Sequence, residues 1–374
     1  MKALIILLSF FLMFNKSIAQ EESKYQSVDR TILSIPASQT SNTDDIAAFI
    51  KTHFDTDRQR IRAAYTWVTT NIKYDTDSIH RVILNEDKDE KVTFALRRRK
   101  GICENFAAIF YDLCSKSGIK SYVIEGYTKQ NGSVDRTAHV WCSALIDHKW
   151  FLFDPTWDAG FVNRGTFVSS TATNYFQLEP ADFIQTHMPY DPLFQFSNYP
   201  LSYKEFSRGA TKTNSKKTFF NFSDSLVAYE NMDELTKYLA SFQRIKEATN
   251  AASVMRDTKL KQLKLETELI YQDRDMALYD SSVENYNSAI KIFNAFLNYR
   301  NNQFRPAKSN EEVTTMFDGV CRLIASANQN IKEIKSSKAV LSLDTGDIQK
   351  KLTDLSVKMK EQKEYLKTYL SVAQ

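Results

Sequence analysis

Apolar positions along the chain recur with two periods, and the switch between them predicts the elements. In "RIRAAYTWVTTNIKYD" (Arg60 to Asp75) the residues Ile61, Ala64, Tyr65, Val68 and Ile72 share one side of a helix, with Trp67 nearby. The same spacing returns in "CENFAAIFYDLC", where Phe106, Ala107, Phe110, Leu113 and Cys114 line a helix that starts at Cys103 and is ended by Ser117-Gly118. In "TAHVWCSALIDHKWFLFDPTWD" the period falls to two. There two alternating, aromatic and β-branched runs flank Asp147-His148, the pattern of a β-hairpin. A two-residue loop pairs Ile146 with Lys149 and sets Trp141 opposite Asp154, so that His139 is a diagonal neighbour of Asp154 on one face. Diagonal partners lie ~7–8 Å apart at the backbone, within reach of a carboxylate-to-imidazole hydrogen bond. A four-residue loop preserves that face, whereas an odd loop without a bulge does not. Val140, Cys142, Ala144 and Ile146 then form a core face. His139 and Asp154 are left on the face expected to meet the Cys103 helix.

Further along, the pattern is helical throughout. Leu235, Tyr238, Leu239, Phe242 and Ile245 repeat at helical spacing, followed by Tyr286, Ile290, Phe293 and Leu297, and by Val313, Met316, Phe317, Val320, Leu323 and Ile324. Ser309 and Glu312 make a capping-box pattern before the third group. Ile348, Leu352, Leu355 and Met359 begin a last helix whose lysine-rich end, "VKMKEQKEYLKTY", reads as a solvated face. Six of the seven prolines precede residue 201. That shift, with the polar stretch "SRGATKTNSKKT" (Ser207 to Thr218), predicts a domain over 20–208, a linker over 209–218 and a helical domain over 219–374.

The first residues change the compartment. Lys2, the apolar run "ALIILLSFFLMF" and the small residues "SIA" before Gln20 read as a secretory signal peptide over 1–19, too short for a bilayer span of ~20 residues. The mature chain is expected to be secreted or periplasmic, with no membrane span after cleavage. The formal charge is +4, and with Lys2 and Lys16 in the leader the mature chain carries +2, too balanced for a nucleic-acid partner. Four cysteines in an exported chain allow three disulfide connectivities. Cys103 and Cys114 on one helix stand about 16 Å apart, too far to bridge, and Cys142 and Cys321 fall in core patterns. Mostly free, buried thiols are expected.

Cys103 is the candidate nucleophile. At the first turn of a helix, unpaired N–H groups and the positive end of the dipole stabilise an anion, the reactive form of a thiol. "RRRK" (Arg97 to Lys100) just ahead reads as a solvated turn. Among five histidines, His53, His80, His148 and His187 have routine surface or capping explanations. His139 alone stands on a strand beside an acid. Cys103, His139 and Asp154 therefore make a candidate nucleophile, base and orienting acid, with Asp158 beyond Pro155 as the rival acid.

At these residues the chain resembles a known family. "GICENFA", "AHVWCSALIDHKWFLFDPTWDAG" and "AAYTWVTTNIKYD" resemble the motifs of the transglutaminase-like superfamily, relatives of papain-like cysteine proteases. "YFQLEPADFIQTHMPYDP" followed by "PLSYKEF" is similar to the kyphoscoliosis-peptidase type, and the resemblance covers roughly residues 45–206. It implies an α+β fold, a transglutaminase-like core with the catalytic helix packed on an antiparallel sheet, followed here by an all-α domain. It also implies Cys103 as nucleophile, His139 as base and Asp154 as acid, acting on an amide of a protein or peptide substrate. Two positions depart from the pattern. Glu104 follows the cysteine where many relatives carry an uncharged residue, and His148 stands at a turn position often held by Gly. No cofactor is implied, and no metal-ligand spacing occurs. Hydrolysis by water and transfer to a lysine amine both fit, with hydrolysis favoured. The competing reading is a catalytically silent binding scaffold whose helical domain docks a protein partner.

Overall fold

The computed structural model describes residues 25–77, 88–170, 172–210, 214–248, 253–340 and 342–372. The expected leader at 1–19 and His80 lie outside the described residues. The chain falls into two compact units. One takes the chain as far as Met232 together with Ala240–Leu260, and the other takes Asp233–Leu239 and the chain from Lys261 onward.

In the first unit, helix α1 (Thr43–His53) starts at Asn42, whose side chain accepts from the Asp45 N–H. Helix α2 (Asp57–Asn71) starts at a capping box made by Thr56 and Gln59. Strand β1 (Lys73–Tyr74) leaves α2, and helix α3 (Lys88–Arg98) runs into strand β2 (Lys100–Gly101), which pairs in parallel with β1 immediately before helix α4 (Cys103–Lys116). The basic run is solvated only in part: Arg97 and Arg98 are exposed, Arg99 and Lys100 half-buried. Arg98 ion-pairs with the buried Asp75 at 2.8 Å, while Arg99 lies over the Trp67 ring at 5.1 Å and donates to the Thr40 carbonyl and hydroxyl. The two guanidiniums fix the chain that delivers Cys103.

The sheet is antiparallel. Its central strand β3 (Ser121–Gln130) pairs along one edge with β5 (His139–Ile146) and, near its end, with β4 (Ser133–Val134), and β6 (Lys149–Phe153) lies beyond β5. Ile146 pairs with Lys149 and Cys142 with Phe153, so the loop has two residues. Asp147 and His148 have φ of 48° and 62°, as a hairpin turn with two left-handed residues requires. Short helix α5 (Pro155–Ala159) follows β6, and a second hairpin joins β7 (Gly160–Asn163) to β8 (Thr166–Ser169). Helix α6 (Pro180–Phe183) then leads to β9 (His187–Pro189), which pairs with β3 on the edge opposite β5, and helix α7 (Tyr203–Ser207) comes after.

Helix α4 covers one face of this sheet. Phe106, Ala107, Phe110 and Leu113 bury against Val140, Cys142, Ala144 and Ile146, and the Cys142 thiol lies 3.3 Å from the Ala107 carbonyl. That corrects one expectation. The helix lies on the Val140 face, while Trp141 faces the other way and packs with Ile124, Leu152 and Phe183. His139, in step with Trp141, is thus on the face away from the helix body. It meets Cys103 because each residue begins its element, so both stand at the rim of the sheet.

Helices α8 (Phe222–Glu230) and the second half of α9 (Glu234–Glu247) also belong to the first unit. Arg244 donates twice to the buried Asp191, at 2.8 Å each, and Lys259 ion-pairs with Glu125 at 2.6 Å. The stretch 209–218, expected as an interdomain linker, therefore lies within the first unit's span. In the second unit, α10 (Val254–Asn301) from Lys261 onward, α11 (Asn310–Lys335) and α12 (Gly346–Val372) share a core of Phe293, Phe296, Phe317, Val320, Leu352 and Leu355. The Ser309–Glu312 capping box starts α11. Cys321 on that helix is exposed rather than in the core, because it falls beside the apolar stripe of Val313, Phe317, Val320 and Ile324. All four cysteines are free. No described helix is long and apolar enough to cross a membrane.

Candidate active site

Asp154 ends β6 and begins α5, and both roles are visible in its bonds. One carboxylate oxygen, Oδ1, accepts from the N–H groups of Thr156 (2.9 Å) and Trp157 (3.2 Å), the usual task of an Asp N-cap. Pro155, with no N–H to satisfy, suits the first helical position. The other oxygen, Oδ2, accepts from His139 Nε2 at 2.7 Å and from His187 Nε2 at 3.1 Å. Asp154 is fully buried. Its burial opposes ionisation, yet His139 and His187 overcome that penalty and hold the carboxyl far below the usual carboxylate range.

His139 is buried between the Trp141 and Trp157 rings, with ring centroids 6.3 and 5.6 Å away. Burial alone would lower its pKa, but the Asp154 carboxylate beside it and a hydrogen bond with Cys103 raise it to about 10. With Nε2 committed to Asp154, Nδ1 is the nitrogen left for the Cys103 side.

Cys103 is half-buried at the first position of α4. Asn105 shapes this helix start. Its Oδ1 accepts from the Ile102 N–H at 2.9 Å, and its Nδ2 donates to the Lys91 carbonyl of α3 at 3.0 Å. A Cβ on Gly101 would lie 2.5 Å from the Asn105 Cβ, so the residue before Ile102 must lack a side chain for that arrangement to form. The Cys103 N–H opens the helix and has no intrahelical carbonyl to bond, which makes it a donor for an anion at the thiol. Glu104 points elsewhere and pairs with Lys91 at 2.8 Å. Tyr74, half-buried on β1, completes this side. Its own burial, then the nearby Cys103 and Asp154, push its hydroxyl up to about 12.

The rival acid is used otherwise. Asp158 accepts from the Tyr65 hydroxyl (2.5 Å) and from the N–H groups of Asn174 (3.0 Å) and Tyr175 (2.9 Å), and burial raises its pKa to about 6. The Tyr65 oxygen also lies 2.9 Å from the Asp154 carbonyl, so its one proton is shared between Asp158 and the backbone of Asp154, and Asp158 does not address the imidazole. Of the other described histidines, His53 bonds the carbonyl of Phe49 at an exposed position and His148 sits in the hairpin turn.

Sequence reasoning missed His187. It lies on a three-residue strand with no periodicity, beside Pro189, and no local signal ties it to Asp154. It reaches Asp154 because β9 comes unusually close to β3 at Gly126, where a Cβ would sit 2.1 Å from the Met188 carbonyl oxygen. Ligand atoms of His139, Asp154 and His187 all lie within 4.8 Å of one another, near enough to be weighed as metal ligands. Both ring nitrogens, however, already address the same carboxylate oxygen at hydrogen-bond distance, and a cation there would have to displace both bonds.

Residues 44–155 match the family model of the transglutaminase-like superfamily, so this part of the chain is a transglutaminase-like domain. The chain is 26% identical over 217 residues to the kyphoscoliosis peptidase of Homo sapiens, covering 55% of this chain and 31% of that protein. It is 24% identical over 233 residues to the Lim and transglutaminase domain protein ltd-1 of Caenorhabditis elegans, covering 57% of this chain and 31% of that one. The chain thus spans about a third of the length of these relatives. Among solved structures, the periplasmic domain of TgpA from Pseudomonas aeruginosa aligns at 18% identity and a TM-score of 0.26, over 35% of this chain and 47% of that one.

Proposed function

We propose that the protein is an exported thiol acyl-transfer enzyme that opens an amide of a peptide or protein through a thioester on Cys103, with water as the usual second substrate. The observation that carries this reading is the shared oxygen geometry: Asp154 Oδ2 lies 2.7 Å from Nε2 of a buried His139, whose remaining nitrogen is on the side of a half-buried Cys103. Export rests on the leader pattern at 1–19.

The steps follow from the groups present. With the thiol proton held on His139, Cys103 Sγ attacks the carbonyl carbon as the thiolate, and the Cys103 N–H donates to the oxygen as it gains charge. His139, protonated at neutral pH through its pairing with Asp154, gives its proton to the departing amine nitrogen as the C–N bond breaks and the thioester forms. The neutral imidazole then takes a proton from water as its oxygen attacks the thioester, and Cys103 leaves as the C–S bond breaks. A lysine amine in place of water gives transamidation by the same steps. Glu104 does not weigh against this chemistry, because its charge is paired with Lys91.

Iodoacetamide labelling followed by peptide mass mapping tests the reading without a known substrate, and exposed Cys321 serves as the reference thiol. Cys103 is expected to label faster than Cys321. His139→Ala should slow it at least about tenfold, and Asp154→Asn should also slow it while leaving a residue of reactivity. Equal labelling of the two cysteines, unchanged by His139→Ala, would establish the silent scaffold instead.

A further inference from the structure

We infer that His187 is a positioning residue of this site: its Nε2–H, fixed in that tautomer by the Thr186 hydroxyl, holds the Asp154 carboxylate in place against the His139 ring. The inference rests on the reading of Cys103, His139 and Asp154 given above.

A neutral imidazole can donate from one nitrogen only. It has one N–H, so a ring that donates from Nε2 to a carboxylate must accept at Nδ1. Nδ1 of His187 lies 2.8 Å from Thr186 Oγ1, and Nε2 lies 3.1 Å from Asp154 Oδ2. The hydroxyl has two other partners, the Phe183 carbonyl at 3.5 Å and the Tyr175 hydroxyl, which can itself donate to Thr186 Oγ1 and leave the threonine proton for His187. The nearer partner wins, and the hydroxyl proton goes to His187. In the opposite tautomer a bare ring nitrogen would face a carboxylate at a site closed to water, with no proton between them.

Nothing suggests that His187 meets substrate. It is 1% exposed, and the rings of Phe183 (4.2 Å), Trp157 (4.5 Å), Trp141 (5.1 Å) and Tyr175 (5.3 Å) surround it. Such an apolar enclosure is costly for a cation. Burial pulls the pKa of His187 down to about 4, the Asp154 carboxylate resists that shift, and the positive His139 adds to it. The two histidines on one oxygen therefore differ in charge at neutral pH. His139 is the cation that exchanges protons, and His187 is a neutral donor.

The effect on the site is geometric. Both carboxylate oxygens lie off the Cβ–Cγ bond, so a rotation that carries Oδ2 away from His139 is resisted in part by the two backbone N–H groups on Oδ1. The His187 N–H restrains that rotation from a second strand. Without it, His139 would keep a carboxylate partner but lose a fixed direction toward Cys103.

The test uses the full chain and the labelling rate of Cys103 relative to Cys321. His187→Phe keeps a ring in the aromatic enclosure and removes the donor, and the ratio should fall by about tenfold, the effect of losing one hydrogen bond to a charged group. His187→Gln, which can still donate from its amide, should stay within about threefold of wild type. Thr186→Val, which frees the tautomer, should fall between the two. His139→Ala is run beside them: a ratio unaffected by His139→Ala overturns the acyl-transfer reading itself. A ratio slowed by His139→Ala but unchanged in folded His187→Phe overturns the role of His187 alone, as does an equal loss in His187→Phe and His187→Gln. Should His187→Phe fail to fold, Thr186→Val decides, and a wild-type ratio there counts against the inference.

Discussion

At the scale of single residues, four donors from four residues converge on the Asp154 carboxylate, and the charges of the two histidines among them make stability depend on pH in two windows. His139 has a folded pKa of about 10, above the ordinary value of 6.5. Its pairing therefore contributes fully below pH 6.5 and is lost as pH rises through about 10. His187 has a folded pKa of about 4, below the ordinary value, so the unfolded chain binds more protons between pH 4 and 6.5 and stability falls as pH drops through that window. The charged and titratable groups facing His187 are Asp154, His139, Asp135 and Tyr175. Asp158, with its pKa raised to about 6, slopes the other way over much of the acid window but does so equally in wild type and variant. Differences in melting temperature isolate each histidine. Wild type minus His187→Phe should become less favourable to wild type from pH 6.5 down to 4, and wild type minus His139→Gln should do so from pH 6.5 up to 10. A flat difference in either range would remove the assigned charge state. His139 and Asp154 were legible as partners because both lie in one alternating hairpin. His187 was not, since it stands 33 residues from Asp154 on another strand.

Elements decide whether those residues meet. The β5–β6 turn holds His148 at φ 62°, a conformation that costs a residue with a side chain roughly 1–2 kcal/mol. His148→Gly relieves that cost but adds backbone freedom to the unfolded chain worth about 0.5–1 kcal/mol. The net expectation is a gain of up to about 1.5 kcal/mol in denaturant unfolding, with Cys103 labelling unchanged. A loss of stability would mean that the imidazole makes a contact the turn needs. Gly126 is the opposite case. In Gly126→Ala the new Cβ would lie 2.1 Å from the Met188 oxygen, and β9 must move away from β3. Slower Cys103 labelling is expected to accompany that shift, because His187 moves with its strand; wild-type labelling would separate β9 from the site. The hairpin register could be read from alternation and a polar pair. The side on which α4 packs could not, since alternation divides a strand into two faces without naming what covers either one.

Across the whole molecule, the fall in Pro and Gly content marks where strands and loops give way to helices, but packing does not divide there. Leu226 on α8 packs in the first unit's core with Ile124, Trp141 and Phe196, Ile245 on α9 is buried, and Arg244 supplies two bonds to Asp191. Composition registers the kind of element formed; it carries no information on which core a helix joins. A chain ending at Thr218 would lose all three groups, whereas one ending at Leu260 keeps them. Burial of each apolar side chain contributes about 1.5–3 kcal/mol, and Asp191 would lose its cationic partner as well. The first unit cut at Thr218 should thus be less stable by at least about 3 kcal/mol, which lowers the melting temperature of a domain of this size by roughly 10 °C. Thermal unfolding of the two truncated chains, followed by circular dichroism, measures the gap directly. Equal melting temperatures would return the domain boundary to 209–218, and a chain ending at Leu260 that lost rapid Cys103 labelling would show that the site depends on residues beyond the first unit.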